Sequence, residues 1–246
     1  YDLELMAYGP PKAALALARQ CLPARVPWSR RGQHRALRPI VEQRLNWEFA
    51  DGDVVALWVH NEESAAHIRE YHHNPRYLSS VAFDEGSVDI FTDINEAIAG
   101  CDIVIFAVPS AFVKEVLLNM NKGALDGKLV CSTIKGIIPD ENMIVGEYLR
   151  EVVDVPENHI VVITGPCHAE EIALERLSFL TVAAIDASAS KKVTSVLQSH
   201  YVRCTLSTDI YGTEYAAVMK NIYAIAAGMC HGLGYGDNFQ AVLISN

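Results

Sequence analysis

From residue 54 onward, short unbroken apolar runs alternate with longer stretches whose apolar residues recur at helical spacing. Residues 54–59 (VVALWV) and 103–108 (IVIFAV) contain no charged position, the mark of strands covered on both faces. Shorter runs at 129–133, 160–164 and 179–184 read the same way, and 88–91, broken only by Asp89, reads as a short strand. Between them the spacing predicts helices over 62–72, 94–99, 112–120, 169–175 and 190–198, and another ending near Val153. Asp93, Ser110, Asp140 and Asp209 precede helical segments and are expected N-caps. This alternation predicts an α/β fold, an open and mostly parallel sheet with helices on both faces. After Asp209 the pattern turns wholly helical, which places a domain change near Leu206.

Composition narrows the function classes. Half of the 246 residues are apolar, enough for one large domain or a domain and a part. No run approaches the roughly 20 apolar residues of a membrane span, and no signal peptide is visible, so no membrane partner and a cytoplasmic location are expected. Six cysteines, never spaced C-x-x-C, fit a reducing compartment and suggest neither a zinc site nor a disulfide scaffold. No metal ligand set is expected. The net charge of −10 disfavours general nucleic-acid binding. Residues 1–50 depart from that balance, with eight Lys/Arg against four Asp/Glu. Arg25, Arg30, Arg31, Arg35 and Arg38 stand in a window without an acid, read as a solvated leader or a nucleic-acid arm.

Open α/β sheets bind ligands at the carboxyl ends of their strands. His60 and Asn61 follow the first long apolar run, and Pro109 and Ser110 the second. Lys135 and Gly136 follow the run at 129–133; Gly165, Pro166, Cys167 and His168 follow that at 160–164. The helical segment beyond Asp209 holds a single lysine, Lys220, among Ala216, Ala217, Tyr223, Ala224 and Ala227. Burial of an ammonium on such a face lowers its pKa and suits it to proton transfer near neutral pH. A snorkelling lysine over a packed stem is the plainer alternative.

The run G-x-E-Y-x-x-V-x-K-N-x-x-A-I-A-x-G, followed by G-L-x-Y-G-D-N-x-x-A, resembles the catalytic helix and loop of the bacterial-type NAD(P)-dependent glycerol-3-phosphate dehydrogenases. L-W-x-H at Leu57–His60, H-N-P-x-Y-L at His73–Leu78, A-V-P-S at Ala107–Ser110, S-T-I-K-G at Ser132–Gly136 and T-G-P-C-H-A-E-E-I-A at Thr164–Ala173 extend the resemblance over about residues 54–246. It implies a Rossmann-like doubly wound sheet over 51–206 that binds a dinucleotide. The start of an all-α substrate domain would follow over 207–246.

What the resemblance implies for the site is specific. NAD or NADP would lie against His60, Pro109, Lys135 and Ala169. A phosphorylated three-carbon substrate would meet Lys135, Gly165, Cys167, Lys220 and Asn221. Lys220 would give a proton to the ketone oxygen on reduction and remove it on oxidation, while hydride moves to or from the nicotinamide. The product, sn-glycerol 3-phosphate, would supply phospholipid synthesis, with a homodimer as one candidate assembly. Cys167 stands where the family has Ser or Thr, and a Cys167–His168 nucleophile is the alternative there.

Two expectations concern departures from the family. Its glycine loop should fall 25–30 residues before Trp58, on Trp28–Arg38, where no such motif stands. A shifted reading frame is one explanation, since arginine codons read a base later yield glycine; a disordered leader is another. Later family segments, a G-D-L motif and a Ser-Arg-Asn segment, are also not found. An inactive fragment, or a related nicotinamide-dependent hydroxy-acid dehydrogenase, is the rival reading.

Overall fold

The computed structural model describes residues 4–8, 55–75, 82–83, 88–167 and 169–245. Eight strands form one sheet: β1 (Glu4–Tyr8), β2 (Val55–Val59), β3 (Val88–Phe91), β4 (Ile103–Phe106), β5 (Leu129–Ser132), β8 (Ile160–Thr164), β9 (Ser178–Ala183) and β10 (Val202–Ser207). Their order is β3-β2-β1-β4-β5-β8-β9-β10. A separate hairpin pairs β6 (Ile137–Ile138) with β7 (Met143–Ile144). The helices are α1 (Glu62–Tyr71), α2 (Ile94–Ile98), α3 (Val113–Leu118), α4 (Val145–Glu151), α5 (Ala169–Ala173), α6 (Ala187–Leu197), α7 (Ile210–Gly232) and α8 (Asp237–Ser245). The fold is a Rossmann-type doubly wound sheet with a helical segment at its end.

Apolar runs became the strands because both faces are covered. All four residues of β4 are at most 3 % exposed, and Phe106 is fully buried. The pairs β2–β3, β4–β5, β5–β8 and β9–β10 are parallel, and β8–β9 is antiparallel. β1 fills the slot between β2 and β4 but runs against both, Glu4 opposite Val59 and Tyr8 opposite Ile103. Its carboxyl end therefore lies at the amino ends of its neighbours.

Two of the four expected caps form. The Asp93 carboxylate accepts the N–H of Asn95 at 2.7 Å, and Asp209 accepts that of Gly212 at 2.7 Å. Ser110 caps nothing: it opens a 3₁₀ turn, Ser110–Phe112, because the fixed φ of Pro109 starts the tight turn one residue earlier. Asp140 sits instead at the tip of the β6–β7 hairpin. It has φ +69° and Asn142 has φ +56°, conformations that Asp and Asn tolerate. Lys114 on α3 holds that tip through Glu141 at 2.8 Å and Asp140 at 3.6 Å. The helix thus begins only at Val145.

The sequence pattern did not reveal β1, β6, β7 or β10, while α8 falls within the segment it reads as helical. β10 is an edge strand whose Arg203, Thr205 and Leu206 are exposed, so no apolar run marks it.

Phe106→Ala should cost about 3–5 kcal/mol of stability, read from the denaturant midpoint in chemical unfolding.

Candidate functional site

The turn after β5 is built on the end of β4. Thr133 donates both its N–H and its hydroxyl to the Phe106 carbonyl, at 3.0 and 3.1 Å. The N–H of Ile134 donates to Ser132 Oγ at 3.2 Å, and the Ile134 side chain is buried. This apolar wedge turns Lys135 outward, where it is exposed. Gly136 lies against the preceding turn: a Cβ there would sit 2.7 Å from Ser110 Oγ. The Pro109–Ser110 and Lys135–Gly136 turns therefore touch.

Next along the same edge, Gly165 follows β8. Its φ is +148°, and a Cβ would overlap the Phe179 carbonyl of β9, so only glycine fits. Pro166 is exposed, Cys167 half-buried, and Ala169 opens α5. Because β5 and β8 are parallel neighbours, with Ser132 opposite Val162, the 135–136 and 165–167 turns emerge side by side. Burial pushes the Cys204 thiol on β10 up to about 11, and the neighbouring Cys167 adds to the shift. His168, the base in the thiol alternative, lies outside the described residues.

His60 follows β2 and is exposed; its ring meets Trp58 edge-on, centroids 6.1 Å apart. Trp58 is anchored by donating to the Thr92 carbonyl at 3.0 Å. The segment His73–Leu78 lies only partly within the described residues. The arginine-rich run and Trp28–Arg38 lie outside them.

α7 corrects the expectation for Lys220. Only Ile210 and Glu214 of this helix are buried, and both lie in its first turns. Lys220 and Asn221 are exposed, as are Tyr223 at 58 % and Ile225 at 66 %. The apolar face that was to bury the lysine exists in sequence. Only the first turns of α7 are buried, beside β8 and β9, and the residues around Lys220 remain uncovered. The structure thus brings the Pro109, Lys135, Gly165 and Cys167 turns to one edge. It does not enclose Lys220.

One functional candidate was missed. Glu214 is fully buried, and its carboxylate accepts the N–H of Gly146 on α4 at 3.0 and 3.2 Å. Burial raises its pKa to about 7 against the hydrogen bonds from Gly146 and Val145, with Glu147 adding to the rise. An acid one turn into an otherwise apolar helix was the available signal.

Cavities of about 440 Å³ beside α1 and β3, and of about 180 Å³ near Met120, Leu125, Val153 and Pro156, lie away from these turns. The strand-end turns, with their convergent geometry, are the better guide to the site. Among the described residues no group of three or more His, Cys, Asp or Glu could hold a metal, and no helix is long and apolar enough to cross a membrane.

A doubly wound sheet with these turns gathered at the carboxyl ends of its strands defines a Rossmann-type α/β protein. The family model for the N-terminus of NAD-dependent glycerol-3-phosphate dehydrogenase matches residues 46–190, and that for the C-terminus matches 209–246. The chain belongs to the NAD-dependent glycerol-3-phosphate dehydrogenase family. It is 35 % identical over 195 residues to glycerol-3-phosphate dehydrogenase [NAD(P)+] of Oceanobacillus iheyensis, covering 79 % of this chain and 56 % of that one. For the Streptococcus suis protein of the same name, identity is 34 % over 196 residues, covering 79 % and 58 %. The crystal structure of glycerol-3-phosphate dehydrogenase from Coxiella burnetii superposes with TM-score 0.65 at 27 % identity, over 76 % of this chain and 56 % of that one. The chain thus spans 56–58 % of the length of these relatives.

The Glu214 carboxyl titrates near 4.5 when unfolded and near 7 when folded, so the folded state binds its proton more tightly. Its contribution is therefore present in full below about 4.5 and is lost as pH rises through about 7. Stability should fall by on the order of 3 kcal/mol across that window, and Glu214→Gln should flatten the slope in pH-dependent urea unfolding.

Proposed function

We propose that this chain is the Rossmann part of an oxidoreductase that interconverts sn-glycerol 3-phosphate and dihydroxyacetone phosphate with NAD or NADP, feeding glycerophospholipid synthesis. The observation that carries the reading is the meeting of family-matching turns at one sheet edge: Pro109–Ser110 against Lys135–Gly136, with Gly165–Cys167 on the adjoining strand.

The residues fit the cofactor unevenly. His60, Pro109, Lys135 and Ala169 follow β2, β4, β5 and β8 at the edge where a ribose and nicotinamide would lie. β1 runs the other way, so its carboxyl end lies at the opposite edge of the sheet from these turns. When bound, the cofactor supplies or takes the hydride. Lys135 attracts the substrate phosphate or polarises the carbonyl with its fixed charge. The Gly165–Cys167 turn meets the substrate oxygens, with Cys167 offering a weak thiol donor where a hydroxyl would be stronger. Lys220 exchanges the proton at the carbonyl oxygen, and Asn221 beside it orients the substrate. Closing water away from Lys220 requires cover that the described residues do not supply.

A second reading is favoured by the antiparallel β1: a folded member of the family that does not bind dinucleotide.

Titration of the full chain with NADH and NADPH, followed by fluorescence, separates the two. Saturable binding, with dihydroxyacetone phosphate-dependent NADH oxidation that Lys220→Ala lowers at least about 100-fold, supports the enzyme. A flat titration of a chain with folded circular dichroism overturns it in favour of the second reading.

A further inference from the structure

The N-terminal turns of α7 are fastened to α4 at two points. Glu214 reaches from α7 to the Gly146 N–H, with Oε2 at 3.0 Å and Oε1 at 3.2 Å. Arg150 of α4 lies over the Tyr211 ring of α7, 5.6 Å from its centroid. The two contacts differ in kind. Arg150 is part-exposed and already bound to Glu151 and Glu157 at 2.7 and 2.9 Å, so its hold on Tyr211 is one of several attachments. Glu214 is wholly buried beside the apolar cluster Val162, Ala183 and Ile210, with the α4 backbone as its hydrogen-bond donor.

The fit is tight. A Cβ on residue 146 would stand 2.9 Å from Glu214 Oε2 and 3.4 Å from Ile210. Glycine at the start of α4 costs helix propensity, and the close approach of the carboxylate explains its presence. A buried carboxylate that lost these donors would be left unsatisfied, which is costly enough to hold the contact in one geometry.

Lys220 stands six residues beyond Glu214, about 9 Å along the helix axis. No residue of α7 between them is buried. Glu214 is therefore the last buried anchor of α7 before Lys220, after Ile210 in the turn before it.

We propose that Glu214 is a positioning residue: by clamping the first turns of α7 on the Gly146 N–H, it sets where the Lys220 amine stands relative to the sheet edge. Its relevance to the reaction rests on the function proposed above for Lys220; the clamp itself does not. The clamp is also sensitive to protonation. Below neutrality Glu214 holds as a neutral acid. Above it, an anion is retained by the two amides against its burial and against Glu147, the acid on α4 that faces it. Arg150 is turned to Glu151, Glu157 and Tyr211 instead, and β8 and β9 present Val162 and Ala183, which do not titrate.

The test uses the full chain with Glu214→Gln, Glu214→Leu and Gly146→Ala. Amide hydrogen exchange and the ¹³C resonance of reductively methylated Lys220 are followed between about pH 5 and 9. Glu214→Leu is expected to speed exchange at Gly146 and over residues 210–220 by about tenfold or more, leaving β4 and β5 unchanged. The Lys220 resonance should show an inflection near pH 7 in the wild-type chain. It should lose that inflection in Glu214→Gln, which keeps a hydrogen-bond acceptor but no titrating group. Wild-type exchange and an unmoved Lys220 resonance in Glu214→Leu would overturn the proposal. If Glu214→Leu does not fold, Gly146→Ala gives the decision, with loosened α7 exchange supporting the clamp and wild-type exchange refuting it. Neither readout needs turnover, so a chain that binds no NADH leaves this result standing and removes only the proposed function.

Discussion

Ile103–Phe106 offers no face to water, so every polar group of its backbone has to be met by the strands at its edges. β1 meets one edge and β5 the other. The ladder continues past the last strand residue: the Phe106 carbonyl takes two donors from Thr133. That bond decides where the chain turns after β5, and the buried Ile134 decides which way Lys135 points. The contact between Gly136 and Ser110 then follows. The edge where these turns meet is in this sense the outer rim of the core, and its geometry is inherited from burial rather than made by the loops themselves.

The helical segment is held differently. α7 is attached through a carboxylate placed in apolar surroundings, where burial disfavours the charge that the Gly146 and Val145 amides favour. Hydrophobic contact contributes through Ile210 against Val162 and Ala183. Beyond the first turns the helix carries exposed Met219, Ile222, Tyr223, Ile225 and Met229. An apolar surface of that extent is a demand for cover, and the lysine among these residues shares in it.

Much of the fold could be read from the chain because a doubly covered strand writes itself as an unbroken apolar run. The runs at 103–108 and 160–164 became β4 and β8, and Asp93 and Asp209 acted as the caps their positions suggested. Ser110 and Asp140 did not, since a proline and a hairpin respectively took control of the backbone. β10 escaped notice because it is an edge strand with no unbroken apolar run; its signal was the alternation of Val202, Cys204 and Leu206 with Arg203, Thr205 and Ser207. That the turns after β4, β5 and β8 share one sheet edge was legible from strand position alone. Lys220 was misread as buried because periodicity reports that a face is apolar, not that something covers it. The sequence showed Glu214 as an acid in the first turns of α7 but not its partner, the backbone N–H of residue 146, which no side-chain pattern displays.

The central claim is that the turns at 135–136 and 165–167 form one ligand-binding edge for a small phosphorylated substrate. Backbone amide shift mapping of the full chain against sn-glycerol 3-phosphate tests it directly. The account predicts saturable shifts at Lys135, Gly136, Gly165 and Cys167 together, with one common dissociation constant. Shifts confined to the opposite end of the sheet, around residues 121–126 and 153–156, or no saturable shifts at all, would contradict it.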